Sequence, residues 1–252
     1  MSEIYEALKK AEKEKQDRTA GPQGPPAETE TQAARSNSVL SADPTIPAEE
    51  YQKMSSALRT IGTNRKIKSV LFLSSVHGEG TSSVCAHFAR SIAQGDGEKV
   101  LLVDANLRSP ILHMFFDLER GNGLTELLAG GASGDAIIRK TSTPGLSLVT
   151  AGAPTQDAPR LLGSAHLKEV LTEWRERYSW IIVDTSPALA YADAVVLGRM
   201  MDGVILVVQA GKTRREVIGK AQEILKNAKA SVLGVVLNKR QYVIPKPIYR
   251  RL

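Results

Sequence analysis

The chain has 252 residues, 42% of them hydrophobic, with one cysteine and four histidines. That is enough apolar material for one α/β core with extensions or for two small domains, and the lone Cys85 excludes an internal disulfide framework, which fits a reducing cytoplasm. The formal net charge is +6, but residues 239–252 hold +5 of it and no acid. With only +1 left for the body, a nucleic-acid groove is excluded as the main function.

In chain order, residues 2–16 predict an N-terminal amphipathic helix with Ile4, Leu8 and Ala11 on one face and Tyr5 beside them. It reads either as a tethered docking peptide or as a frayed terminal helix. Residues 17–46 shift to Gly, Pro, Thr, Ser and Ala, including Gly21-Pro22-Gln23-Gly24-Pro25-Pro26. Such a segment buries too little apolar surface to offset its chain entropy and reads as a disordered linker. The opening Met1-Ser2-Glu3-Ile4-Tyr5 lacks the basic and apolar regions of a signal peptide, and no run approaches the roughly 18 apolar residues of a membrane span. A soluble, cytoplasmic protein is expected.

Residues 47–240 form the expected globular domain. Six apolar runs, Ser69–Leu73, Val100–Val103, Leu146–Val149, Trp180–Val183, Val204–Val208 and Val232–Leu237, are continuous rather than alternating, as strands buried on both faces are. Helical stretches lie between them at 82–93, 166–177, 190–200 and 214–229. The fold class expected is α/β, with three layers and a mostly parallel central sheet covered by helices on both faces.

Directly after the first run stands Ser74-Ser75-Val76-His77-Gly78-Glu79-Gly80-Thr81-Ser82-Ser83. The phosphate-loop pattern G-x-x-x-x-G-K-[ST] runs from Ser75 to Ser82 with Thr81 in the lysine's place. Glycines allow close backbone approach, and amides at a helix start favour phosphate. Gly78, Glu79, Gly80, Thr81, Ser82 and Ser83 are therefore the candidate nucleotide-binding residues. The second run ends in Asp104 and the fourth in Asp184, where packing alone does not explain a carboxylate. Either Asp alone reads equally well as a cap or turn residue. Beside a phosphate loop, the pair points to Mg²⁺ coordination with Ser82, or to positioning of an attacking group.

The loop, the strand end Val103-Asp104-Ala105-Asn106-Leu107-Arg108-Ser109-Pro110 and the strand end Asp184-Thr185-Ser186-Pro187 together resemble the bacterial tyrosine kinases of capsule and exopolysaccharide export. That family shares the P-loop superfamily with partition-type and division-site ATPases. The resemblance runs from about Glu49 to Asn238 and includes Tyr178-Ser179-Trp180, Gly211-Lys212-Thr213 and the segment Gly234 to Asn238. It implies a P-loop NTPase fold, ATP and Mg²⁺ as cofactors, Asn238 at the base, and Asp104 and Asp184 serving metal and nucleophile. It further implies autophosphorylation of tail tyrosines in a neighbouring subunit, ring-forming homo-oligomers, and activation by an inner-membrane polysaccharide co-polymerase, the chain-length determinant protein. That places the protein at the inner face of the plasma membrane.

Four departures stand against the family pattern. Thr81 replaces the loop lysine, whose charge-assisted bond contributes roughly 1.5–3 kcal/mol, or about ten- to hundred-fold in binding. Asn106 stands where a second aspartate is usual. Only Tyr242 and Tyr249, the phosphorylation candidates, follow the last strand, and Ser56 follows Glu50-x-x-Lys53 where the ring contact has an arginine. The losses leave a weakened kinase with a substitute cation (Lys212, Arg214 or Arg108), a pseudokinase acting as assembly factor, or a partition-type surface ATPase. The tail 241–252, with cations interleaved among Tyr242, Ile244, Ile248 and Tyr249, fits contact with an anionic leaflet or acidic partner, or a solvated end. The four histidines show no metal spacing, His77 reads as a loop residue within reach of a phosphate or as a turn, and Cys85 as a small buried residue.

Overall fold

The computed structural model describes residues 48–65, 67–95 and 97–240. The expected N-terminal helix, the linker and the tail with Tyr242 and Tyr249 lie outside the described residues.

Seven strands form one sheet: β1 (Ser69–Ser74), β2 (Val100–Asp104), β3 (Ile138–Lys140), β4 (Leu146–Val149), β5 (Trp180–Asp184), β6 (Gly203–Gln209) and β7 (Val232–Asn238). Their spatial order is β3-β4-β2-β5-β1-β6-β7, and every pair is parallel except β3 with β4. The antiparallel edge strand β3 was not expected. It spans three residues that are at most half-buried, too short and too polar to stand out as an apolar run.

The side-chain alternation of a strand builds two cores from one run. Val70 and Phe72 of β1 pack on one side with Phe88, Ile92 and Trp180, while Leu71 and Leu73 pack on the other with Trp174, Leu206 and Leu225. The first side is covered by α1 (Ala48–Arg65) and α2 (Thr81–Ala93). Along α2, Val84, Cys85, Phe88, Ala89 and Ile92 form a helical stripe, and the Phe88 ring lies 5.1 Å from that of Phe72. Tyr51 of α1 stacks on His87 at 5.4 Å, and Lys53 pairs with Glu50 at 3.0 Å on the exposed side.

On the second side lie α5 (Ala158–Leu162), α6 (Ala165–Arg177), α7 (Asp193–Gly198) and α8 (Arg215–Asn227). The helix expected over 190–200 is shorter, running from Asp193 to Gly198, because Ala190 and Tyr191 close a turn on the Pro187 carbonyl before it. Two short helices, α3 (Leu112–Phe115) and α4 (Leu124–Leu128), follow β2. Among the described residues, no helix is long and apolar enough to cross a membrane.

The chain runs from β1 past the place of β5 to β2, and later from β5 back across β1 to β6, so its direction along the sheet reverses beside β1. Crevices form at the carboxyl ends of strands where the order reverses in this way. The loop after β1, Asp104, Asp184 and Asn238 all sit at that edge.

Candidate functional site

The loop between β1 and α2 is shaped from inside by its own glutamate. Glu79 is buried, and its Oε2 accepts the backbone N–H of Ser75 at 2.7 Å and of Val76 at 3.0 Å. Its Oε1 accepts the N–H of Gln209 at 3.2 Å and the hydroxyl of Thr213. One carboxylate thus ties the start of the loop to the segment after β6. Gly78 and Gly80 both take left-handed backbone (φ 84° and 87°), where side chains are disfavoured. At Gly80 space also matters, since a Cβ would come within 2.3 Å of Asn238 Nδ2.

From the end of β7, Asn238 Nδ2 donates to the carbonyl of Glu79 at 2.8 Å and Lys239 Nζ to the carbonyl of Gly78 at 2.8 Å. Gly78, Gly80, Ser82, Asn106, Thr185 and Pro187 are among the residues lining an open cleft of about 350 Å³ in front of the loop. α2 begins at that cleft with Thr81, Ser82 and Ser83, whose amides precede the first intrahelical bonds.

Beneath the cleft, Asp104 and Asp184 stand side by side on β2 and β5, both fully buried. Asp104 accepts the N–H groups of Leu112 (3.0 Å), Ile111 (3.2 Å) and Asn106 (3.2 Å). Burial nevertheless pushes its pKa up to about 7, the three amides offsetting only part of that cost. Asp184 is raised as well, first by burial and then by the neighbouring Asp104. Neither of its oxygens has a hydrogen bond of ordinary geometry; the Ser82 hydroxyl and the Thr185 amide lie near enough only to favour the charged form in part. Burial also pushes the Cys85 thiol well up, and Asp184 and Asp104 add to it, as expected of a small structural residue on α2.

Asn106 is engaged on its own side. Its Oδ1 accepts the Ser109 amide at 3.3 Å, and the Ser186 hydroxyl lies 3.1 Å from it and 3.2 Å from Asp193 Oδ2. Arg108 Nε donates to the same Asp193 oxygen at 3.0 Å, and its guanidinium lies over Tyr191 at 4.3 Å. The Tyr191 ring in turn meets His77 edge-on at 5.7 Å. Arg108 is therefore committed to a buried partner. Lys212 and Arg214 follow β6 with no side-chain hydrogen bond or ion pair among the described residues, so neither is placed on the loop.

All nucleotide-site candidates with described side chains thus gather at one strand edge. Sequence reasoning missed two participants. Glu79 entered only as a loop member, although a glutamate flanked by two turn glycines has few ways out of the loop and signals an inward anchor. Lys239 was counted with the basic tail, although it directly follows the Asn238 strand end.

The sequence model of the cellulose biosynthesis protein BcsQ family matches residues 68–229. The tyrosine-protein kinase YwqD of Bacillus subtilis is 37% identical over 193 residues, covering 77% of this chain and 81% of that protein. The chain belongs to the bacterial tyrosine kinase family. Solved structures agree. The chimerical protein CapA2B2 superposes with a TM-score of 0.75 at 26% identity, over 81% of this chain and 90% of that one. The kinase domain of the Escherichia coli tyrosine kinase ETK does so with a TM-score of 0.75 at 25% identity, over 91% and 89%. The bacterial tyrosine kinase fold, a P-loop NTPase sheet, is the one expected from the sequence.

Proposed function

We propose that the cleft binds ATP with Mg²⁺ and that the chain is a tyrosine autokinase-like protein of exopolysaccharide or capsule biosynthesis, slowed by the loss of its loop lysine. One observation carries this reading. Of the thirteen buried side-chain polar atoms without a hydrogen bond among the described residues, six gather around this one loop: Ser75 Oγ, Thr81 Oγ1, both Asp184 oxygens, Thr185 Oγ1 and Asn238 Oδ1. Unpaired buried groups are costly, and so many at one cleft point to a polar ligand that completes them.

In this reading the amides of Glu79, Gly80, Thr81, Ser82 and Ser83 hold the phosphates, and Asn238 holds the base. The Ser82 hydroxyl, Asp104 and Asp184 suit a hard cation, being oxygen donors with two carboxylates already crowded together. Magnesium, when bound, supplies charge that screens the phosphates and the carboxylate pair. Asp104 or Asp184, charged once magnesium is bound, would accept the proton of an attacking tyrosine hydroxyl as its oxygen bonds the γ-phosphorus and ADP leaves. The acceptors are Tyr242 or Tyr249 of a neighbouring subunit. The partner is an inner-membrane polysaccharide co-polymerase, and the site of action is the inner face of the plasma membrane.

A second reading, a pseudokinase acting as an assembly factor, is favoured by Thr81 and Asn106, which remove one cation and one anion and so keep the charge balance without the catalytic groups. Calorimetric titration with ATP–Mg²⁺, followed by mass spectrometry for phosphotyrosine, separates them. Binding with phosphate on Tyr242 or Tyr249 supports the kinase, and binding without turnover supports the assembly factor. No binding overturns the kinase and leaves a purely structural assembly factor.

A further inference from the structure

The loop lacks its own lysine, yet a lysine from elsewhere touches it. Lys239 lies 161 residues further along the chain, and its Nζ donates to the Gly78 carbonyl at 2.8 Å. Its Cε lies 3.3 Å from where a Cβ on Gly80 would be, so the stem runs alongside the loop. To get there, Lys239 adopts φ 54°, one of three non-glycine residues with positive φ among those described. Residues held in such backbone persist where the surroundings require them, and they concentrate at functional sites.

The geometry also says what the contact does. In a trans peptide the carbonyl and the following N–H point opposite ways, and none of the described peptides is cis. Lys239 holds the carbonyl of Gly78 and Asn238 that of Glu79. Gly78, Glu79 and Gly80 line the cleft, whereas Asn238 and Lys239 do not. The two side-chain donors therefore hold the outward carbonyls of the loop and turn the amides of Glu79 and Gly80 towards the cleft, while Asn238 Oδ1 stays unpaired and open to the base. Neighbouring amides aimed at one point form an anion-binding nest, and an ammonium just behind them adds to its potential.

We propose that Lys239 is the positioning residue that stands in for the missing loop lysine: it fixes the amides of Glu79 and Gly80 for phosphate and supplies the loop's cation from the end of β7. The proposal rests on the nucleotide reading above and deepens it.

The test is calorimetric titration of the full chain with ATP–Mg²⁺, ADP–Mg²⁺ and adenosine. Lys239→Met keeps the stem and removes the ammonium. It is expected to weaken both nucleotides about ten-fold or more, the scale of a lost charge-assisted bond, and to leave adenosine within about two-fold. Hydrogen exchange at the Glu79 and Gly80 amides speeds up in the ligand-free variant. Adding Thr81→Lys restores most of the lost affinity in the Lys239→Met background and gains less in the parent, as two groups sharing one role do. The proposal is overturned if Lys239→Met binds both nucleotides like the parent, or if adenosine weakens as much as ATP, which would make Lys239 a base contact. If the parent itself binds no nucleotide, the reading beneath falls and takes the proposal with it. Binding that survives Lys239→Met sinks the proposal alone.

Discussion

Asp104 and Asp184 are register partners on adjacent parallel strands, yet three backbone amides serve the first and the second has no well-formed hydrogen bond. Two buried carboxylates on neighbouring strands cannot both ionise cheaply, so the ligand-free fold favours protonation within the pair.

The first prediction follows from the sign of that effect. Acids whose folded pKa is raised bind more protons folded than unfolded, so the contribution of Asp104 is fully present below about pH 4 and is lost as pH rises through about 7, and that of Asp184 is lost in the same direction. Ligand-free protein should lose stability in urea melts as pH rises from about 4 through 7. Asp184→Asn should flatten the slope and raise stability at pH 8 by about 1–2 kcal/mol, while weakening ATP–Mg²⁺ binding. A slope unchanged by Asp184→Asn would contradict the buried pair as its source.

The Glu79 carboxylate is an anchor rather than a ligand. Four donors converge on its carboxylate: the amides of Ser75, Val76 and Gln209 and the Thr213 hydroxyl. Glu79→Gln turns one oxygen into a donor facing donors, and the cost should be about 2–3 kcal/mol. For a chain of this size that lowers the melting temperature by roughly 5–10 °C. A loss below about 2 °C by calorimetry would show that the loop holds its shape without the anchor.

Glycine substitutions rank the loop's two constraints. Gly78→Ala meets only the backbone penalty, since nothing lies within 4 Å of its Cβ position, and should cost about 1 kcal/mol. Gly80→Ala meets the same penalty plus Asn238 Nδ2 at 2.3 Å, so it should cost about 1–2 kcal/mol more and strip nucleotide affinity. Equal stabilities for the two variants would contradict the Asn238 contact.

Restoring the lost charges tests how far catalysis has been set aside. Thr81 Oγ1 is buried without a partner, so Thr81→Lys forfeits no hydrogen bond, and it should tighten ATP–Mg²⁺ about ten-fold. Asn106→Asp alone should weaken binding by adding a negative charge beside the phosphates. The double variant should raise phosphotyrosine formation more than either single change. A double variant no faster than the parent would place the catalytic deficit elsewhere.

Much of this was legible because the relevant patterns are local. Continuous apolar runs such as Leu101-Leu102-Val103 announce strands covered on both faces, and a polar strand end such as Asp104 marks the edge where a site gathers. What was not legible depends on long-range partners or short stretches. β3 carries too few buried side chains to show a period. Asp193, at the start of the helix near 190, answers Arg108, 85 residues away. Glu79 finds Gln209 and Thr213 more than a hundred residues later, and Lys239 reaches back across the sheet edge to Gly78. Local composition assigns that lysine to the basic tail, whereas its bond to the Gly78 carbonyl brings it to the loop.

The Glu79 carboxylate has a mechanical consequence. Since the same group clasps both the cradle's root and the turn beyond β6, neither can shift while the other stays fixed. A protein docking on the exposed residues around Lys212 would therefore tug on the phosphate cradle from behind, without entering the cleft.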